Sequence, residues 1–159
     1  MSYFDALLQE PEVVARTIAH QLGNPLFGHV DCVVGIGLSG SLVLLPIRML
    51  TGLHVVAVRK EETTTHSRRP WESTYELEHP NNVSSTRVGR YVIVDDFAST
   101  GNTIRVVREV IGTQGTCAGI ILYDDCRSPL VWPMNVPIVG LFEECSEVVN
   151  LKQAGWSLD

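Results

Sequence analysis

The stretch from Arg90 to Thr103, RYVIVDDFASTGNT, limits the folds open to this chain more than any other. Tyr91 to Val94 is an apolar run that reads as a buried strand. Asp95 and Asp96 follow at its carboxyl end, then a loop of small residues, Ser99-Thr100-Gly101, and Thr103 opens an amphipathic run. A loop that ends at a helix N-terminus presents unpaired backbone N–H groups and the positive end of the helix dipole, so it favours phosphate. Gly101 lets the backbone approach a ligand closely, and the hydroxyls of Ser99, Thr100 and Thr103 add donors. Ionised Asp95 and Asp96 only accept hydrogen bonds, so they repel phosphate but suit ribose hydroxyls or a hydrated cation. A ligand with a phosphate at one end and a diol at the other satisfies both halves. The plainer alternative is a strand, an acidic turn and a capped helix.

Around this stretch, helical and strand patterns alternate. Pro11 to Leu22 carries apolar residues at 14, 15, 18, 19 and 22, a helical spacing, with His20 on the outer surface and Gly23-Asn24-Pro25 as its stop. Cys32 to Ile36 reads as a short strand, Ser41 to Leu50 as a helix ended by Gly52, and Leu53 to Val58 as the next strand. Thr103 to Ile111 places Ile104, Val107, Val110 and Ile111 on one helical side. Cys117 to Tyr123 is a continuous apolar run suited to a parallel strand covered on both faces, and Ile138 to Phe142 reads as a further strand after an irregular Ser128–Pro137. The order predicts an α/β fold: a single domain over residues 1–159 with a mostly parallel twisted sheet flanked by helices. Residues 61–88, polar and with few apolar positions, form a long connection that reads as a lid or a disordered segment.

A second glycine-rich turn, Gly35-Ile36-Gly37-Leu38-Ser39-Gly40, joins the first strand to the next helix. Taken alone it fits G-x-G-x-x-G, the dinucleotide-binding pattern. That pattern asks for an acid at the end of the following strand. Here Arg59-Lys60 stand at that end, with Glu61 only past two cations.

Composition narrows the partners. With 159 residues, 45% of them hydrophobic, the chain has material for one sizeable core. A net charge of −6 offers no electrostatic footprint for nucleic acid or an anionic membrane. MSYFDALLQEPEVV has no basic leader region, and no apolar run approaches the ~20 residues of a membrane helix. The four cysteines show no CxxC pairing, and Cys32 and Cys117 read as small core residues. These features lead to the expectation of a cytoplasmic protein with free thiols.

The segment VIVDDFASTGNT resembles the phosphoribosyl-pyrophosphate (PRPP) motif of type I phosphoribosyltransferases: hydrophobic run, acidic pair, two residues, a Ser/Thr-rich turn, Gly, any residue, Thr. Phe97 and Ala98 depart mildly from it, since smaller aliphatics are usual there. GIGLSG and AVRK occur ahead of it in the order and at the distance of that family's diphosphate loop and the strand after it. The resemblance covers roughly residues 30 to 125 and weighs against the dinucleotide reading. It implies that Asp95 and Asp96 hold the ribose diol, directly or through the water of a bound Mg²⁺. It likewise implies that Ala98, Ser99, Thr100, Gly101, Asn102 and Thr103 bind the 5′-phosphate. Gly37, Leu38, Ser39 and Gly40, with Arg59 and Lys60, take the diphosphate, although Ser39 stands where Arg or Lys is frequent. By the same resemblance a non-proline cis peptide is expected at Gly37–Leu38, and residues 61–88 form a mobile loop that closes over PRPP.

RKEETTTHS is also similar to the RKE-x-K-x-H-G stretch of orotate phosphoribosyltransferases, with Thr63 in place of the Lys and His66 near the His. Lys60 and His66 join the acidic pair as implied catalytic groups; His66, Arg68 and Arg69 are the loop cations available to the departing diphosphate, with a solvated surface position as the alternative, and Trp71 and Tyr75 are candidates for a small hairpin contact or a cover over the base. The implied activity is transfer of 5-phosphoribose from PRPP to a nucleobase-like acceptor, with Mg²⁺ as cofactor and a homodimer as the assembly. Residues 1–29 and 124–159 would form the variable hood. Ser99 stands where hypoxanthine-guanine enzymes carry an Asp base, which disfavours a 6-oxopurine and leaves orotate, adenine or another base open. A PRPP-binding regulator without transferase activity is the reading from a different class.

Overall fold

Valine- and isoleucine-rich runs become neighbouring parallel strands here because helical crossovers cover both of their faces. The computed structural model describes residues 11–58, 71–73, 88–95, 101–123 and 135–141. Its strands are β1 (Cys32–Ile36), β2 (His54–Val58), β3 (Trp71–Ser73), β4 (Gly89–Asp95), β5 (Gly115–Leu122) and β6 (Ile138–Gly140), in the sheet order β3-β2-β1-β4-β5-β6. Every pairing is parallel except that of β3, which runs antiparallel along β2 at the edge.

Alternation along each strand divides the core in two. Val33, Val55, Val92, Val94 and Ile121 face helices α1 (Pro11–Leu22) and α2 (Gly37–Thr51), which bury Val14, Ile18, Leu22, Val43, Leu44 and Ile47 against them. Cys32, Val34, Val56, Tyr91, Ile93 and Ile120 face the other way, onto Ile104, Val107 and Ile111 of α3 (Asn102–Ile111). Each such side chain removed from water contributes roughly 1.5–3 kcal/mol.

The α/β class, the parallel sheet and most element positions agree with expectation, and His20 lies exposed on α1. Four readings are corrected. Helix α2 starts at Gly37 rather than Ser41, so the glycine turn is the helix's own first turn. The Gly37–Leu38 bond is trans, as are all peptide bonds of the described residues, and Gly37 enters the helix at φ 59° instead. The 61–88 connection contains a strand, β3, paired through Val58 with Trp71 and Val56 with Ser73. Val110 is 39% exposed, because α3 turns Ile104, Val107 and Ile111 inward and leaves Val110 at the margin of that face.

A bulge in β5 shapes the far side of the core. Tyr91 pairs with Cys117 and Val92 with Gly119, so Ala118 is the extra residue. The Phe27 ring fills the space above Gly119, where a Cβ would collide with it. Phe27 belongs to a 3₁₀ turn, Pro25–Phe27, capped by Asn24, whose Oδ1 accepts from the Leu26 N–H at 3.0 Å. Arg90 holds that turn to β4, its Nε and Nη2 donating to the Phe27 carbonyl at 3.0 and 2.9 Å.

Cys32 carries a consequence for pH. Burial first, then the Asp31 carboxylate, push its thiol up from 9.0 to about 12, against a smaller lowering contribution from the Val33 backbone. The folded state keeps this proton where the unfolded chain releases it. Stability tied to this group is therefore complete below pH 9.0 and lost as pH rises from there to about 12. Thermal melts taken upward from neutral pH are expected to fall less steeply in Cys32→Ala than in wild type. Parallel declines would show that the thiol is not responsible. Part of the decline survives in the variant, since burial and neighbouring Cys117 raise the Tyr91 phenol too.

Candidate active site

The chain leaves β1 for one face of the sheet and β4 for the other, although the two strands are hydrogen-bonded neighbours. In an open α/β sheet that divergence opens a crevice at the carboxyl edge, where ligands bind. Two segments line it. Gly37 follows β1 directly and starts α2, and Asp95 ends β4. Gly35 pairs with Val94, so Asp95 emerges beside the start of α2. Gly101, at φ 82° and buried, is the last residue before α3.

Both helices begin at this edge. Among the described residues no side chain caps α2 or α3, and neither first turn holds an acid. The N–H groups of a helix's first turn and its positive dipole end attract an anion. Between them lies Asp95, 3% exposed, whose carbonyl accepts from the Tyr123 N–H at 3.1 Å. One buried acid between two anion-attracting helix ends matches a ligand that is anionic at both ends and hydroxylated in the middle.

Of the residues singled out from sequence, the fold brings together Asp95, Gly37, Gly40 and Gly101, with the backbones of Leu38 and Ser39 in the first turn of α2. Asn102 is the first residue of α3, and Thr103 is exposed on its opening turn. Asp96, Ala98, Ser99, Thr100, Arg59, Lys60 and His66 lie outside the described residues, as do Arg68 and Arg69. Among the described residues no three His, Cys, Asp or Glu side chains gather as a metal-ligand set. One residue of the glycine-rich turn has a role that the sequence did not assign it. Gly35, inside β1, touches the first turn of α2 through its backbone, and a glycine within an otherwise apolar strand is the signal that could have flagged it.

Fold and crevice together define an α/β protein whose candidate site lies at the switch point of its sheet. More particularly, the chain belongs to the phosphoribosyl transferase domain family, whose model matches residues 4–128. It is 31% identical over 126 residues to an adenine phosphoribosyltransferase of Carboxydothermus hydrogenoformans, spanning 74% of this chain and 71% of that one. Among solved structures, an orotate phosphoribosyltransferase from Aeropyrum pernix superposes with a TM-score of 0.62 at 20% identity, over 94% of this chain and 78% of the other. The orotate phosphoribosyltransferase of Mycobacterium tuberculosis in complex with PRPP gives a TM-score of 0.56 at 18% identity, over 81% and 70%. At these identities the structural likeness is one of fold.

Proposed function

We propose that the chain transfers the 5-phosphoribosyl group of PRPP to a nitrogenous base: a base nitrogen bonds to C1′ as the bond from C1′ to the diphosphate oxygen breaks. The observation that carries this reading is the pair of uncapped helix N-termini flanking buried Asp95. On this reading the first turn of α2, Gly37 to Gly40, holds the diphosphate with Arg59 and Lys60. Gly101 and the start of α3, with Ala98, Ser99, Thr100, Asn102 and Thr103, hold the 5′-phosphate, and Asp95 and Asp96 accept from the ribose hydroxyls. Fixed donors at the diphosphate stabilise the charge that grows on it as the bond breaks, without reorganising during the reaction. Lys60 acts from the end of the strand before the 61–88 segment, and His66 with the remaining loop cations from within it; closure of that segment over the site would exclude water from the reacting carbon.

Mg²⁺ fits the donor set. Asp95 and Asp96 are hard oxygen ligands, and this ion is commonly bound through one or two carboxylates with water and substrate phosphate completing its shell. When bound it would neutralise charge on the departing diphosphate. Adenine is the first acceptor to try, on the strength of the sequence relative, with orotate next. A homodimer is supported by Leu45 and Met49, 67% and 80% exposed along the outer side of α2. A cytoplasmic setting accords with the free thiols of Cys32 and Cys117, and among the described residues no helix is long and apolar enough to cross a membrane.

The test is diphosphate release from PRPP and Mg²⁺ across a panel of bases. Release that depends on one base is expected. PRPP binding with no base-dependent release would overturn the transferase reading in favour of a regulator.

A further inference from the structure

Helix α2 meets the sheet without side chains between them at one point. A Cβ on Gly35 would lie 2.5 Å from the Gly40 carbonyl oxygen, 2.7 Å from its carbon and 2.9 Å from Leu44 Cδ1. A Cβ on Gly40 would lie 2.9 Å from both the Gly35 carbon and the Val94 oxygen. The first turn of α2 thus rests on the bare backbone of β1 and β4, one residue short of Asp95. Backbone atoms cannot turn aside as a side chain can, so a methyl at either position must lift that turn from the sheet. Val43 and Ile47, both fully buried, anchor the rest of α2, so the displacement falls on its N-terminal end. Helix α3 is held on the opposite face by Ile104, Val107 and Ile111 and does not follow.

We propose that Gly35 is a positioning residue: with Gly40 it sets the distance between the two helix N-termini, and so the preference for a ligand that is anionic at both ends. This rests on the reading of the crevice as a PRPP site. A ligand bridging two subsites gains from both only when their spacing matches its own length. A ligand with one anionic end is indifferent to the spacing.

Calorimetric titrations of the whole chain with PRPP and Mg²⁺, with diphosphate alone and with ribose 5-phosphate alone separate the cases. Gly35→Ala is expected to weaken PRPP by about tenfold or more, and each single-ended ligand by no more than about twofold. Gly40→Ala, with its milder contacts but inside the diphosphate turn itself, is expected to weaken PRPP likewise while sparing ribose 5-phosphate alone, and carries the test on those two ligands if Gly35→Ala does not fold. Gly52→Ala is the control: at φ 71° with nothing within 4 Å of a Cβ, it strains the far end of α2 without crowding the sheet. It should lower the melting temperature and leave the preference for PRPP unchanged. Equal weakening of all three ligands, or unchanged PRPP affinity, overturns the proposal while the site reading stands. A wild type that binds diphosphate and ribose 5-phosphate but not PRPP overturns the site reading and the proposal with it.

Discussion

Asp95→Asn lowers base-dependent diphosphate release by about 10²–10³-fold while the chain remains folded. Asparagine keeps the shape of the side chain but carries no charge, and one of its two terminal atoms donates where a ribose hydroxyl needs an acceptor. The loss is large because Asp95 is 3% exposed, where electrostatic interactions are screened far less than in water. The bond from the Tyr123 N–H to residue 95 runs to the backbone carbonyl, which the substitution leaves alone. The measurement is initial rate against PRPP concentration, with a thermal melt as control for the fold. Asp96→Asn is expected to fall in the same direction. Unimpaired release in both variants would remove the acidic pair from the site.

Gly119→Ala costs about 3 kcal/mol of folding free energy, and about 6–12 °C in melting temperature. The added methyl would occupy the space of the Phe27 ring, which is fully buried and has no room to retreat. The Pro137 carbonyl oxygen, 2.9 Å from the same point, closes the other side. Arg90 prevents the Phe27 turn from moving off, because its guanidinium donates twice to the Phe27 carbonyl. Shortening the ring relieves the collision. Phe27→Leu combined with Gly119→Ala is therefore expected to be more stable than the sum of the single effects by at least about 1 kcal/mol. Strict additivity in denaturant unfolding would show that ring and methyl do not meet.

Most elements were legible locally. Pro11–Leu22 and Cys32–Ile36 have the bounds that their periodicity suggested, since a helix or strand that buries one face writes that face into nearby residues. The acid at the end of β4 and the glycine before α3 were legible for the same reason. The start of α2 was not. Two glycines in its first turn argue against a helix by about 1 kcal/mol each, yet the helix begins at Gly37 because Gly40 lets it lie on β1 and β4. Nor was β3, whose three residues are too few to show a period and whose partner is found only by folding back onto β2.

Composition and local pattern were thus enough to determine the α/β class, the strands and the side chains at their carboxyl ends. Whether the two glycine-bearing turns share one site depended on β1 pairing with β4, in the register of Cys32 with Tyr91 and Gly35 with Val94. That contact joins residues far apart in the chain, and no local window contains it. The motif around Asp95 supplies the chemistry of half a site. Strand order supplies the other half, because only the tertiary fold sends α2 and α3 to opposite faces and starts both helices at the sheet edge where Asp95 ends β4.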